Sequence, residues 1–152
     1  MSGGIVYYPG EVKTYKTKAA AAGCFDRPGI VVKKDTTTAS DVRVTKIAAS
    51  GDVPFGVCVQ DTYNQDESII QSGVAVGVVS EGVVMVAVEA GTYRIGDRIS
   101  CADTTDGYGR ADVTGVVIGI SEEYKVIATG DYTDRTDQLA VRLMLGEGSA
   151  VT

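Results

Sequence analysis

Two hydrophobic patterns dominate the chain, both set between polar or glycine-rich breaks. Val42-Arg43-Val44-Thr45-Lys46-Ile47 alternates apolar and polar residues, the signature of a strand with one buried face. Gly73–Ala102 (GVAVGVVSEGVVMVAVEAGTYRIGDRISCA) is instead apolar at nearly every position of Val74–Val79 and Val83–Val88. Strands of that kind have both faces covered, and in an all-β protein of this size the second cover is often another subunit. Ser80-Glu81-Gly82 between them predicts either a tight hairpin or one long strand bent at a glycine bulge.

The same reading places strands at Ile30–Val32, Pro54–Val59, Arg98–Cys101, Gly115–Ile120, Tyr124–Ala128 and Leu139–Leu145. Gly91–Asp97 reads as a turn, and Asp106-Gly107 inside Asp103–Gly109 is a hairpin signal. About nine short strands at roughly 8–12 residue spacing predict an all-β protein, a small β-barrel or β-sandwich. Residues 1–27 differ. Ile5-Val6-Tyr7-Tyr8 is a short β-like group ended by Pro9-Gly10, and Ala19–Gly23 is a small-residue run cut short as a helix by its glycine. We read an extended N-terminal arm over 1–27, a β-barrel domain over 28–146 and a flexible tail over 147–152. On that division, deleting residues 2–16 leaves the fold intact.

Composition strengthens the β reading. Nineteen glycines and only three prolines suit many tight turns, and the core formers are valine and isoleucine, with no tryptophan. No stretch approaches the length of a membrane-spanning helix, and Ile5–Tyr8 is too short for the core of a signal peptide. Cys24, Cys58 and Cys101 are odd in number and widely spaced, which reads as reduced packing residues of an intracellular product.

Charge adds a direction. The net charge is −6, yet residues 1–50 hold eight Lys/Arg against four Asp/Glu, and the rest hold six against sixteen. A basic N-terminal segment on an acidic body suits docking on an acidic partner surface. Nucleic acid is not expected, because no arginine cluster is present and the acidic body repels phosphate.

Candidate chemistry is sparse. The chain has no histidine, which removes His-based acid–base catalysis, His triads and most transition-metal sites, so no enzyme activity is expected. Asp103, Asp106, Asp131, Asp134 and Asp137 recur at three-residue intervals, but without the ligand order of an EF-hand; they read as solvated loop carboxylates. Lys125 superficially suggests the modified lysine of a carrier hairpin, and a solvent-facing strand lysine is the simpler reading.

The order of pieces from Gly29 to Leu145 resembles the capsid cement, or head decoration, proteins of tailed bacteriophages and related viruses. The matching pieces are Gly29-Ile30-Val31-Val32, Pro54-Phe55-Gly56-Val57, Ser80-Glu81-Gly82-Val83-Val84, Ile95-Gly96-Asp97-Arg98-Ile99, Gly115–Ile120 and Leu139–Leu145. The resemblance implies a β-tulip-like subunit that trimerises on the exterior of the virion. There it would clamp the major capsid protein of the expanded head, with no cofactor, no metal, no nucleic acid and no membrane. Residues 1–27 depart from that pattern, so the capsid contact is expected in the arm, at Ile5, Val6, Tyr7, Tyr8, Lys13, Tyr15 and Lys16. Tyrosine suits such a contact because it buries area while keeping a polar tip. The trimer seam is expected at Val84, Val86 and Val88. Two alternatives stay open: a tail-tube or fibre-base component, and a small carrier or ligand-binding β domain.

Overall fold

The computed structural model describes residues 11–37, 42–102, 104–111, 114–129 and 136–145. It is all-β, and all nine expected strands are present within one or a few residues of their expected bounds. In chain order the strands are β1 (Val12–Thr17), β2 (Ile30–Asp35), β3 (Arg43–Lys46), β4 (Gly56–Cys58), β5 (Ala75–Val79) and β6 (Val83–Ala87). They continue with β7 (Gly91–Tyr93), β8 (Arg98–Cys101), β9 (Gly109–Ala111), β10 (Val117–Ser121), β11 (Lys125–Ile127) and β12 (Gln138–Leu143). Strands β1, β3, β2, β4 and β5 close into a barrel in that order. A five-stranded sheet, β6-β12-β10-β8-β9, packs on it, and β11 and β7 form a two-stranded ribbon.

The barrel explains the runs that lack alternation. Ile30, Val32, Val44, Cys58, Val76 and Val78 point inward with Phe25, and Tyr15 and Phe55 pack partly buried against them. The outward-facing Val31, Ile47, Val57 and Val79 join Val84, Val86, Ile99, Ile118, Leu139 and Val141 of the second sheet in one core. Both faces of β2, β4 and β5 are therefore covered, and the second cover is this chain's own sheet. Val84, Val86 and Val88 are 0% exposed within a single chain, so the expected trimer seam has no accessible side chain to offer at these positions. Ser80–Gly82 is neither a hairpin nor a bulge: it carries the chain from β5 in the barrel to β6 in the other sheet. The Asp106-Gly107 signal does mark the antiparallel β8–β9 connection, with Gly107 at φ 83°.

Two glycines are required by close approach of backbones. Gly29 sits at φ 91°, and a Cβ there would lie 2.8 Å from the Ala87 nitrogen, which donates to the Gly29 carbonyl at 2.9 Å. This contact fastens the barrel's entry to β6. At Gly119 a Cβ would run into the Arg142 carbonyl across the β10–β12 pair, beside the register shift between Val117 and Gly119.

The N-terminal division changes most. Residues 1–10, and with them Ile5, Val6, Tyr7 and Tyr8, lie outside the described residues. From Val12 on, the segment expected to be an arm is a barrel strand. It pairs antiparallel with β5 (Val12↔Val79 through Lys16↔Ala75) and parallel with β3 (Lys16↔Arg43). A deletion through residue 16 would remove most of the strand that closes the barrel.

Candidate functional site

At one mouth of the barrel an open groove of about 540 Å³ is lined by Lys33, Lys34, Thr36, Val53, Pro54 and Phe55. Its position follows from strand parity. Val32 and Lys34 share the inward face of β2, as Lys13, Tyr15 and Thr17 share that of β1, so the last inward residues at the rim are lysines. The Phe55 ring stands at the floor, with the Tyr15 ring edge-on at 5.1 Å and the Lys34 ammonium 4.9 Å above its centroid. Val53 is 61% exposed at the rim. Lys33 is paired with Asp52 at 2.9 Å, and that carboxylate also accepts the Ala48 and Ala49 amide hydrogens. These bonds outweigh desolvation, which pushes the other way, and hold Asp52 below the usual carboxylate range.

Of the expected contact residues, Lys13, Tyr15 and Lys16 are thus placed on β1. Lys13 and Lys16 are exposed, and Tyr15 is half-buried against Phe55. Tyr15 reaches the mouth through Phe55 and Lys13 shares its face of β1 by strand parity, whereas Lys16 lies on the outer wall beside Arg43. Phe55 and Val53 were not expected there. Pro54-Phe55 reads in sequence as the beginning of a strand, and only the closure of the barrel brings it over Tyr15.

A second feature that sequence alone does not reveal is a buried ionic clamp. Arg27 donates to Asp137 at 2.7 Å and twice to Asp26, at 3.1 and 2.8 Å, while its guanidinium lies 5.4 Å above the Tyr108 ring. Asp137 is fully buried, and burial raises its pKa against the opposing pull of Tyr108 and Arg27. The hydrogen bond from Arg27 holds Asp26 below its ordinary value. Arg27 precedes β2 of the barrel, while Tyr108 and Asp137 precede β9 and β12 of the sheet, so the clamp joins the two layers. Beside it, the Gln138 amide donates to the Pro28 carbonyl at 2.8 Å.

The Asp137 side chain is therefore a structural carboxylate rather than a solvated one. Asp106 is exposed, and Asp103, Asp131 and Asp134 fall outside the described residues. Among the described residues no group of three or more His, Cys, Asp or Glu is placed to hold a metal ion. Cys58 and Cys101 are buried, and burial pushes both thiols up to about 12, as expected of packing residues. Lys125 is half-buried and donates to the Gln138 carbonyl at 2.7 Å, so its amine is not simply presented to solvent. Elsewhere on the surface, Tyr124 (60% exposed) and Val126 (59%) share one exposed face of the β7–β11 ribbon. Ile95 (71%) follows β7 in the adjoining turn.

The fold resembles that of the head fiber gp8.5 N base in bacteriophage phi29. The TM-score is 0.58 at 12% identity, over 93% of this chain and 99% of that one, a likeness of fold alone. No curated protein matches the chain. The family model described as XM1 gp53 minor capsid protein matches residues 5–141, a span that takes in the whole barrel and nearly all of the second sheet. These findings support the broad expectation of a phage structural protein of the virion, without distinguishing a cement protein from other minor capsid components. A match of that extent, over an all-β fold of this kind, makes the chain a member of the XM1 gp53 minor capsid protein family.

Proposed function

We propose that this minor capsid protein attaches as a homotrimer to the outer surface of the major capsid shell and stabilises the expanded head. The observation that carries the reading is the family match over residues 5–141. A protein bound across joints between shell subunits stabilises the expanded state by mass action, and three linked contacts multiply weak affinities. With Val84, Val86 and Val88 internal, the exposed apolar residues Ile95, Tyr124 and Val126 are those a neighbouring copy would cover. The test is light scattering of the purified protein, followed by co-sedimentation with expanded heads that lack it. A trimer that pellets with the heads and raises their disruption temperature is expected; a monomer that stays in the supernatant would sink the proposal.

A second reading, a base that carries a fibre on the virion, draws on the fold likeness to the phi29 head fiber base. It predicts the same attachment, with density extending outward from each attached copy in electron micrographs. The compact cap of a cement protein would lack such density.

A further inference from the structure

We infer that the lysine-rimmed, aromatic-floored mouth of the barrel is the face that meets the shell, and that its occupant is a carboxylate-bearing segment of another virion protein. This rests on the shell-binding reading above and assigns it a place. Several independent observations converge on the mouth. It is a concave surface of about 540 Å³ on a barrel whose interior is otherwise filled by its own side chains. Its floor is an aromatic pair, Phe55 and Tyr15, and its rim carries Val53, so an apolar side chain entering it finds a hydrophobic anchor.

Among the described residues, the groove beside that anchor is lined by two lysines and no carboxylate. Lys33 is neutralised by Asp52, but Lys13 has no carboxylate partner among the described residues, and Lys34 rests only on the Phe55 ring. These two cations stand on a chain of net charge −6, so the positive potential is local to the mouth and opposes the field of the rest of the molecule. Glu81 lies in the neighbouring hollow with Ser80, Met144 and Leu145, on the other side of Pro54 and Phe55. It sets a direction: the partner's carboxylates sit on the Lys34 side, with an apolar residue over Phe55. Two cations and an aromatic floor make a small footprint, too small for a phosphate backbone that an acidic body would repel.

The experiment is co-sedimentation of the full chain with expanded heads lacking it, at low and at high salt. Wild type would be compared with Lys13→Glu/Lys34→Glu, with Val53→Asp, and with Gln65→Glu as an added negative charge on the exposed loop between β4 and β5, at the other end of the barrel. All three alterations lie at exposed positions, and matching melting curves establish that the variants are folded. The expected result is a loss of affinity of about tenfold or more for the double lysine variant and for Val53→Asp. Wild-type binding should weaken with salt, and Gln65→Glu should bind as wild type. If wild type binds and both mouth variants bind equally well, the mouth is not the site and shell binding stands without it. If wild type fails to bind, the shell-binding reading falls and takes this inference with it. If wild type holds duplex DNA at the salt used and Lys13→Glu/Lys34→Glu releases it, the mouth serves nucleic acid and the protein partner is wrong.

Discussion

Single residues here matter by what they leave behind when removed. Among the described residues, Arg27 is the cationic partner of the fully buried Asp137 carboxylate. Arg27→Ala would strand that group with the Tyr108 side chain for company, at a cost of about 3–5 kcal/mol, read as a fall in the urea midpoint. Asp52 shows the opposite balance. Three donors reach its carboxylate, so Asp52→Ala should cost ~1 kcal/mol or somewhat more at neutral pH. Because the folded pKa is depressed, that stabilisation is present above the unfolded value, about 3.9, and disappears as pH falls through the lower folded value. Unfolding curves of wild type and Asp52→Ala should therefore converge below about pH 4. A difference that persists unchanged in acid would show that the carboxylate's charge is not what holds the Ala48–Asp52 turn. Neither role is legible in the sequence, since Arg27 and Asp137 stand 110 positions apart and both read as loop residues.

Strands follow a simple rule of legibility. Where one or both faces are covered, valine and isoleucine announce it, and β2 to β6, β8 and β10 to β12 were all expected. β1 escaped because VKTYKT presents Val12, Thr14 and Lys16 to solvent and places Lys13 at the open mouth; only Tyr15 and Thr17 turn into the barrel. β7 and β9 are three residues long and begin with glycine, too little pattern to register. Partner choice was still less visible. β5 and β6 are joined by three residues yet belong to different sheets, because both flanks of Ser80–Gly82 are apolar on both faces and either pairing would satisfy the pattern. The element-scale prediction follows from the placement of β1. Removing residues 2–16 should abolish cooperative unfolding, as followed by circular dichroism. Retention of the transition would mean that β1 is dispensable to the barrel.

The whole molecule is two packed β layers with contrasting surfaces: a basic mouth at one place and an apolar ribbon at another. The sequence carried the coarse conclusion of a phage structural protein, through the order of its apolar strings, and it pointed to the lysines. It did not carry the surfaces, because the ribbon face and the mouth are assembled from segments scattered across the chain. If the ribbon mediates self-association, Tyr124→Asp/Val126→Asp should shift the protein towards monomer in light scattering at concentrations where wild type is trimeric. Its melting temperature in the monomeric state should be unchanged. An unaltered trimer would move the interface elsewhere on the surface.

The position of β1 has one more consequence, for how the chain is made. It is the first described strand to leave the ribosome, yet Tyr15 has its partner at Val76 and Val12 at Val79. β2, β3 and β4 can find one another early, but the opening strand has to wait until β5 has emerged. Throughout that interval β3 and β4 present raw edges to any other nascent copy. Lysines at 13 and 16 on the waiting segment would then act as gatekeepers, keeping it soluble and out of the wrong ladder. The charge of Lys13 would thus act twice, first on the unfinished chain and later at the face of the finished one.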